Sequence, residues 1–244
     1  MDESHPDDSH IDKALDVVKL TSTLASTIVG EPAVLLLSAV GNYVLNKISS
    51  SRQQQRLEGF VMDMADHVGR EHIRPDVTAI LEDEEKTEDF YELRDKTYER
   101  VVEERSEERR RLYGLFLLGV ITCPDEPYDE KLRFLKTITE LQWAHLLVLR
   151  AYTQEPDSNT NVVGGSIAGT LQKRIGDQVP HEVLPRLAND LYRLELTIDS
   201  SIGGMMTGAG AEDLRVRITP YGKRFMDFLK EGLVLTDETD LEAT

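Results

Sequence analysis

The stretch "EDLRVRITPYGKRFMDFL", residues 212–229, changes from an alternating period of two to a helical period at a single Thr-Pro. Leu214, Val216 and Ile218 alternate with Arg215 and Arg217, the pattern of a half-exposed strand. Beyond Pro220, Phe225, Phe228 and Leu229 fall on one helical stripe. Thr219 can cap that helix while Pro220 occupies its first turn, where a missing N–H costs nothing. Just upstream, "SSIGGMMTGAGAE" (200–212) is glycine-rich and uncharged until its last residue, as an exposed loop would be. The pattern predicts a strand, a long loop, a second strand and a closing helix at about 220–231.

Working back from this closure, Glu182–Leu194 reads as a helix with Leu184, Leu187, Leu191 and Leu194 facing inward. "LTIDS" after it reads as the strand that enters the loop. Ile167–Ile175 is a shorter helix, preceded by "VVGGS", a glycine-rich linker in which Ser166 is the expected helix cap. A helix at about 128–152 carries Leu132, Leu135, Ile138, Leu141, Leu146 and Leu149. The two prolines and high polarity of "CPDEPYDEK" (123–131) mark a domain boundary before it.

The N-terminal half is helical throughout. Residues 1–10 are acidic and polar, an expected disordered tail, as is 233–244. Helices are predicted from Asp12 to about Val29 and from Pro32 to about Ile48, separated by "GEP". A third spans about 52–72 on Leu57, Phe60, Val61, Met64 and Val68, and "DVTAILED" suggests a short fourth. The longest signal runs over about 88–121, with the charged "EERSEERRR" in its middle read as a solvated face. The fold expected is therefore mainly α: a helical domain over 11–122, then a second domain, helical with a small β-hairpin, over 123–232.

That C-terminal order resembles the winged-helix domains of bacterial regulators, on the strength of "RLANDLYRLELTIDS" and "RITPYGKRFMDFL". The ending "ITPYGKRF" (218–225) is also similar to that of abortive-infection proteins of the Abi-alpha kind. The first resemblance implies a DNA-reading helix, on which Arg186, Asn189 and Arg193 would contact bases. Lys173 and Arg174 would support them from the preceding helix, and Arg215 and Arg217 from the strand. The second implies a role in phage defence and brings no catalytic residues.

Charge opposes the DNA reading. The chain carries a formal net charge of −17, and 122–232 holds 13 Lys or Arg against 16 Asp or Glu. Loop 200–211 contains no basic residue at all, so the wing would offer phosphates nothing but Arg215 and Arg217. Met205 and Met206 at its centre give it instead an adaptable apolar tip suited to a protein partner. The expected function is a non-enzymatic protein-interaction or regulatory component, self-associating or bound to another protein. A DNA-binding regulator stands second.

A membrane-active effector stands third. Between Lys19 and Lys47 the only charge is Glu31, which leaves uncharged pieces over 20–30 and 32–46. Neither reaches the roughly 20 apolar residues that span a bilayer, so 14–48 reads as a buried helical hairpin. The acidic start has no secretory n-region, and a cytoplasmic location is expected.

No cofactor or metal is called for. Asp63, His67 and Glu71 share a helical spacing, but His72 leaves that face and no HExxH pattern occurs. No GxxxxGK[ST] loop is present. The single Cys123 excludes an intrachain disulfide and is expected to be an inert buried thiol, and His145 lies in an apolar helix as a core or interface histidine.

Overall fold

The computed structural model describes residues 48–70, 78–156, 165–207, 211 and 213–234, and leaves the side chains of 65–70, 78, 206 and 230–234 undescribed. The hairpin expected over 14–48 lies outside these residues except for Ile48. So do the acidic tails except 233–234, along with Glu71, His72 and the His67 side chain. The chain divides into two compact units, residues 1–135 with 230–244, and residues 136–229. Among the described residues the structure is mainly helical, and none of its helices is long and apolar enough to cross a membrane.

In the first unit, α1 (Ser51–Arg70) and the short α2 (Thr78–Leu81) pack on α3 (Glu84–Glu103), and α4 (Glu107–Thr122) packs on α1 and α3. The predicted stripe of α1 is buried at Leu57, Phe60, Val61 and Met64. Phe60 meets Tyr98 of α3 edge to face, with ring centroids 5.9 Å apart. A side chain at Gly114 of α4 would come within 2.9 Å of the Met64 sulfur, so glycine permits the close approach of α1 and α4.

The long helix expected over 88–121 is two helices, and the charged middle is the reason. Glu104 leaves helical geometry, and Ser106 becomes the N-cap of α4, its hydroxyl accepting from the Arg109 N–H at 3.3 Å. The Glu104 carboxylate accepts from the Ser106 N–H at 2.9 Å and pairs with Arg109. Glu107 and Glu108 then sit in the first turn, where the helix dipole favours anions. Within "EERSEERRR" Glu104, Ser106 and Arg109 thus make the break, while Glu103, Arg105, Glu107, Glu108 and Arg111 are exposed. Beyond it, every residue from Leu112 to Ile121 is buried.

The segment 123–127 leads to α5 (Tyr128–Glu140), and the division between units falls inside this helix, after Leu135. Buried Lys131 donates to the Pro124 carbonyl at 2.9 Å. Cys123 is half-buried, not buried, beside the Thr122 hydroxyl at 3.9 Å.

The helix expected over 128–152 is also two. After α5 the chain turns at Leu141–Gln142 and restarts as α6 (Trp143–Thr153). The restart is held by a side chain: Gln142 N–H donates to His145 Nδ1 at 3.0 Å. In the second unit α6 packs against α7 (Ile167–Ile175) and α8 (Leu184–Arg193). Ser166 caps α7 as expected, accepting from the Gly169 N–H at 3.1 Å. The helix expected from Glu182 begins with a 3-10 turn at His181–Val183 and becomes α-helical at Leu184, with Pro185 in its first turn.

The two strands expected at "LTIDS" and "DLRVRIT" are not strands. Leu214–Arg217 is a 3-10 turn, and the only strand-like pairing between the two segments is the isolated bridge Thr197↔Ile218. Alternation was misleading because Val216 is exposed while Arg217 turns inward to a carboxylate. Among the described residues the strands that form are two residues each: β1 (Gly165–Ser166) pairs antiparallel with β2 (Met205–Met206). The closing helix α9 (Pro220–Val234) starts where predicted, with Gly222 N–H donating to the Thr219 hydroxyl at 2.9 Å. Phe225, Phe228 and Leu229 are buried.

Candidate functional site

Helix α8 carries the face on which a binding site was sought. Leu184, Leu187, Ala188 and Leu191 face inward, and Arg186, Asn189, Tyr192 and Arg193 face solvent. The helix ends in a Schellman motif. Leu196 N–H reaches the Leu191 carbonyl at 3.0 Å and Glu195 N–H the Tyr192 carbonyl at 2.9 Å. Glu195 occupies the left-handed position of that motif, at φ 61°. The exit is tied to the start of α9: Thr219 N–H donates to the Leu196 carbonyl at 3.1 Å, and the Thr219 hydroxyl donates to the Glu195 carbonyl. The orientation of α8 is therefore set by the same Thr-Pro that begins α9.

Several arginines of this unit meet groups within it. Asp190 stands between Arg186 and Arg193, each 3.9 Å from one of its oxygens. Arg174 of α7 donates to the carbonyls of Ala151 and Gln154 at 2.7 and 3.1 Å, so it satisfies the end of α6. Arg215 pairs with Asp213 at 3.2 Å and Glu155 at 3.4 Å. Arg217 lies 2.6 Å from buried Asp199. Asp199 also accepts from the Tyr152 hydroxyl at 3.3 Å, and burial followed by this negative charge pushes the phenol's pKa up. Lys173 is exposed on α7.

Several large apolar side chains of this unit stand in solvent. Met205 is 89% exposed, Val216 71% and Ile198 56%, and Tyr192 is exposed as well. The Met206 side chain lies outside the described residues. Ile198 and Asp199 invert the usual preference, with the apolar residue in solvent and the acid buried. The sequence contained no sign of this inversion, because it depends on Arg217 and Tyr152 arriving from elsewhere in the chain to receive Asp199.

Among the described residues no group of His, Cys, Asp and Glu is arranged to hold a metal ion. Asp63 is exposed on α1. His145 is buried, its Nε2 3.4 Å from Asp190 Oδ2 and its Nδ1 on the Gln142 N–H. Burial is the first cause holding its pKa below the ordinary histidine value, against the opposing pull of Asp190. Comparison with protein-family models, curated proteins and solved structures returned no match.

Proposed function

We propose that this chain is a non-enzymatic protein-interaction component whose contact surface is the apolar rim of the second unit. The observation that carries the reading is the exposure of Met205, Val216 and Ile198 in a unit where Arg174, Arg215 and Arg217 are turned to carbonyls and carboxylates. An exposed methionine with aliphatic neighbours adapts to an apolar partner surface, and paired arginines attract phosphate weakly. The scaffold is read as a reduced winged helix. Supporting this are the order α6, β1, α7, α8, bridge, β2 and α9 seen among the described elements, and the pairing of β1 with the loop strand β2. The resemblance of "ITPYGKRF" to Abi-alpha endings supports phage defence as the setting.

The test is a photo-crosslinking residue placed in the living cell at Met205, Val216 or Ile198, with Lys173 as the comparison site. Specific protein adducts at the first three, lost in a Met205→Asp/Val216→Asp chain that still folds, are expected. Equal, weak labelling at all four sites would reject the surface.

Exposure of Arg186, Asn189 and Arg193 on one helix favours a second reading, a DNA-binding regulator. It requires binding to duplex DNA at about 50 mM salt that weakens steeply by about 200 mM. Arg186→Glu would abolish such binding. No binding at the lower salt removes this reading.

A further inference from the structure

We infer that His145 is an acid-sensitive latch that holds the first turn of α6 and its contact with α8. The inference is independent of which partner the unit binds. Because Gln142 N–H donates to Nδ1 at 3.0 Å, that nitrogen must present a lone pair, and the ring's single hydrogen resides on Nε2. Nε2 faces Asp190 Oδ2 at 3.4 Å. Both polar atoms of a buried ring are thus committed, one to the restart of α6 and one to α8.

The charged groups facing the ring are few. From α8 come Asp190 and, behind it, Arg186. Arg174 of α7 is directed to the opposite end of α6, at the Ala151 and Gln154 carbonyls. In the 214–217 turn, Arg215 is paired with Asp213 and Glu155, and Arg217 with Asp199. At the N-cap of α6 the ring meets the Gln142 backbone, whose N–H donates to Nδ1 and which, as the smallest of the influences on the ring, pulls its pKa up.

A second proton would have to enter at Nδ1, head-on to the Gln142 N–H. Two donors cannot share that line, so the cap bond breaks on protonation. The imidazolium gains attraction to Asp190, but that carboxylate is partly open to water and already faces Arg186 and Arg193, which limits the gain. Burial works in the same direction by disfavouring the charged ring. The unfolded chain protonates more readily than the folded one. The stability that neutral His145 contributes is therefore complete above the ordinary histidine value of 6.5 and falls as pH drops through and below it.

The test is amide hydrogen exchange of the full chain, corrected for intrinsic rates, between about pH 7.5 and pH 5. Protection at Gln142 and over the first turn of α6 is expected to fall by up to about tenfold per pH unit, the slope of one proton. His145→Gln keeps an amide oxygen that can reach the same N–H and cannot titrate there, so its protection should be flat over that range. A flat wild-type profile, or the same slope in His145→Gln, would overturn the latch. Nitrogen NMR of the wild-type ring decides the matter without a variant. A hydrogen on Nδ1 at neutral pH refutes it, and a bare Nδ1 whose titration moves together with the Gln142 amide supports it.

Discussion

The Arg217 guanidinium lies 2.6 Å from the Asp199 carboxylate, and the pair closes the space between two segments that the sequence presents as strands. Asp199 is 7% exposed and its second oxygen accepts from Tyr152. Removing one member of a buried pair costs more than the pair itself contributes, because the other charge stays behind. Arg217→Met should therefore destabilise the chain by about 2–4 kcal/mol, slightly below the full buried-pair range because Arg217 keeps some solvent. Adding Asp199→Asn should restore part of the loss. Urea melts of the wild type, both single variants and the double variant give the coupling energy, and additive effects would contradict the buried pairing.

Gly222 is required by its neighbour across the unit. A Cβ there would collide with the Leu196 carbonyl and crowd Ile218 at 3.0 Å. The obstacle is backbone, itself fixed by the Thr219 N–H, so it cannot swing aside. Gly222→Ala should cost about 1–3 kcal/mol, read as a lower denaturation midpoint. Gly203 and Gly204 have open space around the same position, and alanine at either should leave stability within about 0.5 kcal/mol.

Glu195 invites the opposite result. A non-glycine residue at φ 61° carries a steric cost that glycine lacks. The bonds that hold the motif are made by its backbone, so they survive the substitution. Glu195→Gly should raise stability by about 1 kcal/mol, and Glu195→Val should lower it, since β-branching worsens the same strain. Thermal melts of the two variants should shift in opposite directions.

Ser106 tests the break between α3 and α4. If its hydroxyl caps α4, Ser106→Ala should cost about 1 kcal/mol and Ser106→Asp should cost little or nothing. A continuous helix through 104–106 would instead be favoured by alanine, and the sign of the change in a denaturant melt separates the two.

Much of the helical content was legible because burial on one face imposes a period. The α1 stripe, the inner leucines of α8, the Ser166 and Thr219 caps and the start of α9 each rest on spacing or on a side chain within three residues. The two helices read as continuous share one cause. Ser106 with two acids after it was a local capping signal hidden inside a charge run, and His145 served as an acceptor three residues from its target. In both places a side chain ended a helix that periodicity alone would continue.

The candidate surface was less legible. Met205 was named from composition, since a methionine in an uncharged loop has little to pack on, and it stands in solvent. Ile198 and Val216 give no such signal, because an aliphatic residue in an alternating segment reads as core, and both stand in solvent. Which carboxylate or carbonyl each arginine meets is not carried by its neighbours in the chain, as Arg217 with Asp199 and Arg174 with Ala151 show.

By itself the sequence determined where helices are favoured, which residues cap them and how acidic the chain is. These are properties of neighbours a few positions apart and of summed charge. Only the tertiary structure decided that Arg217, Asp199 and Tyr152, contributed by three separate segments, form one buried cluster. It also decided that Gly222 must admit the Leu196 carbonyl and that a histidine of α6 meets an acid of α8. Such contacts join residues far apart in the chain. Whether a charge is free or paired depends on who arrives beside it, and spacing along the chain does not contain that information.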